Sequence, residues 1–336
     1  MLKNQIAKLN QRKNLSSHEM ENAISELLES TDEKLQAEFL TALHAKGETC
    51  DEIYGAVIAL QQKMLQIDCP FPVLDIVGTG GDQANTVNIS TGAAILAATC
   101  GIKMIKHGNR AVTSLCGSAD VLEVLGVDIS MDPTQIIKST DQSNFSFCYA
   151  PQYHPLLAKI KEVRKKITTP TVFNKIGPLL NPALAKFLMI GVADPKDMDC
   201  VAYILLKLKV KHAWVFHCCG LDEICCAGYI NVIEVKDSAI TKFLLDPRHY
   251  GLSHCMPTAL QGGSPKLNAK LLTQSLQGEK NAVSDSLILN AAIACYIYGV
   301  CTTIEEGIKL ATIQQQSGAG VTLLNKLKNS SQNKGR

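Results

Sequence analysis

Gly78-Thr79-Gly80-Gly81-Asp82 lies between an apolar run, Val73 to Val77, and a polar break, Asn88-Ile89-Ser90-Thr91. The run reads as a buried strand, and the apolar stretch Ala93 to Cys100 reads as a buried helix. A strand, a glycine loop and a helix start together form an arrangement in which a backbone can bind an anion. Glycines let N–H groups turn toward a ligand without a Cβ in the way. The helix start adds unpaired N–H groups and the positive end of its dipole. A plain strand-to-helix turn has the same pattern, so this loop alone does not settle the chemistry.

A second loop follows the same plan. Ile102 to Lys106 reads as a strand running into His107-Gly108-Asn109-Arg110-Ala111-Val112-Thr113-Ser114. Gly117-Ser118-Ala119-Asp120 then opens a helix that ends at Gly126, with Ser118 the expected N-cap and Asp120 in the first turn. In an open parallel sheet two such loops lie side by side at the carboxyl edge. Together they offer backbone donors, the hydroxyls of Ser90, Thr91, Ser114 and Ser118, and the cations Lys106 and Arg110, a set that suits a doubly phosphorylated ligand. Asp222-Glu223 ends a third strand candidate, Ala213 to His217. Paired carboxylates there suit Mg²⁺ held jointly with substrate phosphate, although an Asp-Glu pair is also an ordinary solvated turn.

The elements that must position these groups form two parts. Residues 1–67 read as helices: Ser16 and Glu19 make one capping box, Thr49 and Glu52 another, and Gly47 stands where a left-handed C-cap would end the helix through Leu43. Cys69-Pro70-Phe71-Pro72 breaks the helical pattern and marks a domain boundary. From residue 73 strands and helices alternate, with strands at Phe145–Tyr149, Phe187–Val192, Val232–Val235 and Ile240–Leu244 and helices at 198–208, 266–276, 284–298 and 303–315. The expected class is α/β: a small all-helical domain, residues 1–70 with a hinge piece near 168–185, and a large domain, residues 71–330, around a mainly parallel sheet. The basic helix ending near Ile167 reads as a solvated face, and the tail from Lys326 reads as frayed.

Bulk properties narrow the classes. The 336 residues carry a net charge of +2, which gives no electrostatic case for nucleic acid or an acidic membrane as the main partner. No stretch is long and apolar enough to span a bilayer, and the N-terminus lacks the apolar run of a signal peptide, so a cytoplasmic protein is expected. Its 13 cysteines are then expected to be mostly reduced and packed as small hydrophobes. The vicinal pairs Cys218-Cys219 and Cys225-Cys226 lack the spacing of a zinc knuckle.

Taken in order, Gly78–Asp82, Asn88–Thr91, Lys106–Arg110, Gly117–Asp120, Gly177-Pro-Leu-Leu-Asn-Pro182 and Leu221–Glu223 resemble the anthranilate phosphoribosyltransferase family, as do Ala42–Thr49 and Leu289–Ala292. The resemblance covers nearly the whole chain. It implies a homodimer formed through the helical domain, and transfer of the phosphoribosyl group of 5-phosphoribosyl 1-diphosphate to anthranilate with Mg²⁺, a step toward tryptophan. By the same resemblance, Gly78, Gly81, Asp82, Thr86, Asn88, Ile89, Ser90 and Thr91 contact the phosphoribosyl diphosphate from one loop. Lys106, His107, Gly108, Asn109, Arg110, Ala111, Val112, Thr113, Ser114 and Ser118 do so from the other. Ser90, Asp222 and Glu223 would hold Mg²⁺. Gly78, Asn109, His154 and Arg164 would hold anthranilate, with Arg164 pairing with its carboxylate. No residue is assigned as acid or base.

Three positions depart from the family pattern: Cys116 before Gly117, Pro170 where an arginine is usual, and Cys218-Cys219 before the acidic pair. The rival activity is that of a pyrimidine nucleoside phosphorylase, which shares the fold. The rival of another class is a non-catalytic paralogue that binds a ligand or nucleic acid.

Overall fold

In a computed structural model, which describes residues 2–111 and 114–332, the chain begins with four helices: α1 (Leu2–Asn10), α2 (Ser17–Glu29), α3 (Glu33–Lys46) and α4 (Cys50–Lys63). Val112 and Thr113, expected in the second loop, lie outside the described residues. Both capping boxes are present, Ser16 with Glu19 and Thr49 with Glu52. Each satisfies two N–H groups that the helix start leaves open. Gly47 ends α3 with a φ of 87°, which a side chain would strain, but its ψ of 125° takes it outside the left-handed helical basin.

The larger part alternates strands and helices: β1 (Leu74–Gly78), α5 (Ile89–Thr99), β2 (Met104–Gly108), α6 (Ser118–Val124), α7 (Pro133–Ser143), β3 (Phe145–Tyr149), α8 (Ala150–Tyr153), α9 (Pro155–Lys166), α10 (Phe173–Ile176), β4 (Phe187–Gly191), α11 (Met198–Lys207), β5 (His212–Cys218), β6 (Ile230–Lys236) and β7 (Ala239–Leu245). Then α12 (Pro265–Leu276), α13 (Ala282–Tyr298), α14 (Ile304–Gln316) and α15 (Ala319–Gln332) close the chain. The tail expected to fray from Lys326 is helical as far as Gln332, in α15, which buries Leu323, Leu324 and Leu327, and residues 333–336 lie outside the described residues. Burial of those three leucines outweighs the polar composition around them.

The sheet order is β3-β2-β1-β4-β5-β6-β7. The first five are parallel and the last two antiparallel. Register aligns the strand starts, pairing Leu74 with Met104 and Phe187, so Gly78 and Gly191 end side by side, as do Gly108 and Tyr149. The chain runs outward from β1 to β3 and returns on the other side of β1 at β4. That reversal opens a crevice at the carboxyl ends of β1 and β4, where an open α/β sheet takes its ligand.

Alternation along the strands divides the core. Leu74, Ile76 and Met104 pack with α5, α12 and α13 on one face. Ile105, Leu188 and Ile190 pack on the other, in a cluster that continues into the N-terminal helices. Cys50 of α4 and Cys200 of α11 are disulfide-bonded, with Cα atoms 5.3 Å apart, which ties the helical part to the sheet layer. The other described cysteines are free and most are buried, including Cys218, Cys225 and Cys226.

Candidate active site

The Gly78–Asp82 loop bends across the end of the sheet with positive φ at Gly80 (70°) and Gly81 (88°). These two positions require glycine on conformational grounds. Gly78 is needed for space: a Cβ there would sit 2.2 Å from Asp222 Oδ2. The Asp222 carboxylate accepts a hydrogen bond from the Gly80 N–H at 2.6 Å, and Glu223 Oε1 accepts one from the Ser90 N–H at 3.3 Å. Residues far apart in the chain thus meet across the mouth of β1, and Asp222-Glu223 is not a solvated turn.

The second loop is tied to the first. Asn88 Nδ2 donates to the Cys116 carbonyl at 3.0 Å, and the Leu115 N–H donates to Asn85 Oδ1 at 3.2 Å. Asn268 of α12, 1% exposed, donates from Nδ2 to Asn88 Oδ1 at 2.9 Å and so fixes which way that amide points. Sequence reading missed Asn268; only its position in the folded chain brings it to Asn88. The N-cap of α6 is Gly117, not Ser118: Asp120 accepts from the Gly117 N–H at 2.9 Å, and Ser118 sits one residue inside. The Ser118 hydroxyl donates to the Asn109 carbonyl at 3.2 Å. Gly108 leaves room for that hydroxyl, because a Cβ would stand 2.2 Å from it.

Remaining loop positions take varied roles. Arg110, expected as a diphosphate cation, turns its guanidinium to α6, bonding Asp120 at 3.1 Å and Glu123 at 2.8 Å. The Ala111 N–H donates to Asp120 at 2.9 Å. Asp82 accepts from the Ala84 N–H at 3.2 Å, and Thr86 bridges to Gln261. Ile89 is buried at the start of α5. Thr91 Oγ1 is buried without a partner, whereas the exposed Ser114 hydroxyl lies 3.4 Å from the Cys116 carbonyl.

Lys106 is the buried cation of the site, 2% exposed. It bonds the Ile76 carbonyl and reaches Ser90 Oγ at 3.5 Å. Burial lowers its pKa, while the negative charges of Asp75, Glu223 and Asp222 pull it back up. Burial also pushes Asp222 up to about 7, with the Asp82 charge adding to it, and Glu223 up to about 8, with the Asp222 charge adding to it. Among the described residues no group of three or more His, Cys, Asp or Glu side chains is arranged to hold a metal. The Asp222-Glu223 pair with the Ser90 hydroxyl is instead a two-carboxylate oxygen set whose mutual repulsion a divalent cation would relieve. That donor set fits Mg²⁺, which is bound through one or two carboxylates together with substrate phosphate.

On the opposite face of the sheet lie His107 and His154, 5% and 4% exposed, with ring centroids 5.2 Å apart. His154 Nε2 donates to the Leu180 carbonyl at 3.0 Å, which assigns that nitrogen the proton. Its Nδ1 and the Nε2 of His107 are buried without partners. Burial holds His107 down to about 3 and His154 to about 4, so both rings are neutral at pH 7. Arg164 of α9 is half-buried over the Phe173 ring at 5.2 Å and has no carboxylate partner among the described residues. The exposed lysines around it match the expected solvated face, with Lys165 and Lys166 paired to Glu162 and Glu33.

A helical bundle joined to a mostly parallel sheet, with a crevice at the strand ends, is the two-domain architecture of the glycosyl transferase family. Two family models match accordingly: the helical bundle domain of the glycosyl transferase family over residues 3–64, and its a/b domain over residues 71–321. An anthranilate phosphoribosyltransferase of Chlamydia felis is 40% identical over 97% of this chain and 95% of its own length. The crystal structure of the enzyme of that name from Thermus thermophilus aligns with a TM-score of 0.91 at 34% identity, covering 96% of this chain and 98% of that one. The Saccharomyces cerevisiae structure in complex with 5-phosphoribosyl 1-diphosphate and Mg aligns with a TM-score of 0.88 at 29% identity, covering 98% and 97%. The chain belongs to the anthranilate phosphoribosyltransferase family.

Proposed function

We propose that the chain transfers the 5-phosphoribosyl group of 5-phosphoribosyl 1-diphosphate to the amine of anthranilate, releasing diphosphate, as a cytoplasmic step of tryptophan synthesis. The observation that carries this reading is the meeting of the glycine loop and the start of α5 with Asp222-Glu223 over the crevice between β1 and β4, with the second loop tied in through Asn88. A phosphorylase needs neither a second diphosphate wall nor the carboxylate pair. A non-catalytic paralogue would have lost ligand residues that here are all of compatible types.

The chemistry follows from charge. As the bond from ribose C1 to diphosphate breaks, positive charge grows on the sugar and negative charge on the leaving group. The glycine loop, the start of α5 and the Lys106 ammonium would hold that leaving group. Ser90, Asp222 and Glu223 would hold Mg²⁺, which when bound supplies further positive charge at the diphosphate. The aromatic amine of anthranilate is uncharged at neutral pH, so its lone pair is free and no base is required. What the protein supplies on that side is alignment. Asn109, His154 and the loop at Gly78 line the approach, and Arg164 pairs with the carboxylate. We divide the chain at residue 70 into a helical domain and an α/β domain, with the connection near 168–185 as hinge. The helical domain is the face through which two copies associate.

Purified protein is expected to consume anthranilate, followed as loss of its fluorescence, only with phosphoribosyl diphosphate and Mg²⁺ both present. No loss with both present would end the proposal. Arg164→Ala is expected to raise KM for anthranilate about tenfold or more, through loss of a partly buried charge-assisted pair. KM for phosphoribosyl diphosphate should change little. Equal changes in the two constants would remove Arg164 from the acceptor side.

A further inference from the structure

Asp75 is a fully buried carboxylate, 0% exposed, that the transfer chemistry above does not use. Burying a carboxylate is costly unless its oxygens are well bonded. Both oxygens of Asp75 accept from the His107 N–H at 3.3 Å, and Oδ2 also accepts from Asn181 Nδ2 at 2.8 Å. Asn181 is itself 4% exposed, and all its polar atoms are committed. Nδ2 also donates to the Ile105 carbonyl at 2.7 Å, and Oδ1 accepts from the Ala183 N–H at 2.9 Å. Its amide cannot turn over without breaking both. Asp75 therefore joins two segments that carry the acceptor side. One is the end of β2, with His107 and Asn109. The other is the connection Gly177–Pro182, whose Leu180 carbonyl holds the His154 ring.

We propose that Asp75 is a positioning residue for the acceptor. Through Asn181 it fixes the 177–182 connection against the tip of β2, and so sets His107 and His154 at the spacing that lines up anthranilate with ribose C1. The role rests on the transferase reading above. Asp75 is the strongest of the charges that act on Lys106, but the Ile76 carbonyl, Ser90, Glu223 and Asp222 still face that ammonium when the Asp75 charge is removed. Burial raises the Asp75 pKa to about 6 although Lys106, Asn181 and His107 all pull it down, so the fold retains a charge that an apolar residue would avoid.

The test is steady-state kinetics of the full chain with both substrates varied. Asp75→Asn keeps the size but leaves one acceptor oxygen for the donors of Asn181 and His107 and sets an NH₂ against one of them; it is expected to raise KM for anthranilate about tenfold while KM for phosphoribosyl diphosphate stays within about threefold. Asn181→Ser cuts the same link from the other side, leaves the carboxylate in place and should give the same split. A merely structural carboxylate would lower the melting temperature and raise KM for both substrates together in both variants, and that result would overturn the proposal. Wild-type protein run alongside separates the two readings. An inactive wild type overturns the transferase reading and this role with it, whereas an active wild type with an equally active Asp75→Asn overturns the role of Asp75 alone.

Discussion

A single methyl group added at Gly78 is expected to lower kcat/KM for both substrates about a hundredfold or more, with the melting temperature nearly unchanged. The added Cβ would lie 2.2 Å from Asp222 Oδ2 and 2.8 Å from its Cγ, closer than any such contact survives. The backbone at Gly78 has no positive φ, so alanine meets no conformational penalty there and only the space is contested. Asp222 must swing off the Gly80 N–H, and the glycine loop loses the bond that shapes it. Displacement of a positioning group by about 1 Å is enough for a hundredfold effect. The fold is spared because the atoms that move are a side chain at the mouth of a crevice. Gly191→Ala is the contrast: its Cβ would meet the Asp222 main-chain oxygen, and main chain cannot swing aside, so that variant should lose melting temperature as well. Kinetics and thermal melts of the two variants check the pair. Activity of Gly78→Ala within about threefold of wild type would mean that the Asp222 carboxylate is not needed where it lies.

Features written in a few neighbouring residues were legible before folding. The capping boxes at Ser16 and Thr49, the strand Phe145–Tyr149 and the start of α13 follow from local spacing, and the structure places them within a residue or two. Both glycine loops were legible as strand-to-helix connections for the same reason, since glycine and hydroxyl residues at such a turn carry their own signal. The cap of α6 was misplaced by one residue because Gly117 and Ser118 are both acceptable caps by type. The choice fell to Asp120, which reaches back to the Gly117 N–H, while the Ser118 hydroxyl is taken by Asn109. Helix α7 went unread because its apolar stripe is short, with only Ile136 and Thr140 buried. What could not be read were the partnerships that folding creates. Asn268 with Asn88, Asn181 with Asp75, and Arg110 with Glu123 join ordinary polar residues with no mutual spacing to betray them. Of the departures, Cys116 and Cys218 are buried and Cys219 is exposed with a φ of 50°, and the Cys116 carbonyl is what Asn88 holds. Pro170 is exposed at the end of the basic helix and leaves the buried Thr171 to bond Asn174.

Lys106→Met carries the other large expected effect, and its size should depend on pH. Methionine keeps the length and apolar stem of the lysine but removes the buried cation that Asp75, Glu223 and Asp222 face. Stripping one partner from a buried charge cluster costs about 3 to 5 kcal/mol when the remaining charges stay ionised. They need not stay ionised. Their folded-state pKa values already stand at about 6 for Asp75, 7 for Asp222 and 8 for Glu223, against ordinary values near 4. A carboxyl whose pKa is raised by folding binds more protons folded than unfolded, so stability falls as pH rises through that window. Removing the ammonium raises these values further and steepens the fall. The variant is therefore expected to be nearly as stable as wild type at about pH 5, where protonated carboxyls need no cation, and to fall progressively further below wild type as pH rises through about 6 to 8 and beyond. Urea unfolding at the two pH values, with chelator present so that no divalent cation replaces the lysine, measures the difference. On the proposed function, activity should be lost at every pH, because the ammonium that would hold the departing diphosphate is gone whether or not the carboxyls are charged. A stability difference independent of pH would show that Lys106 supports the fold through the Ile76 carbonyl alone and does not balance the carboxylates.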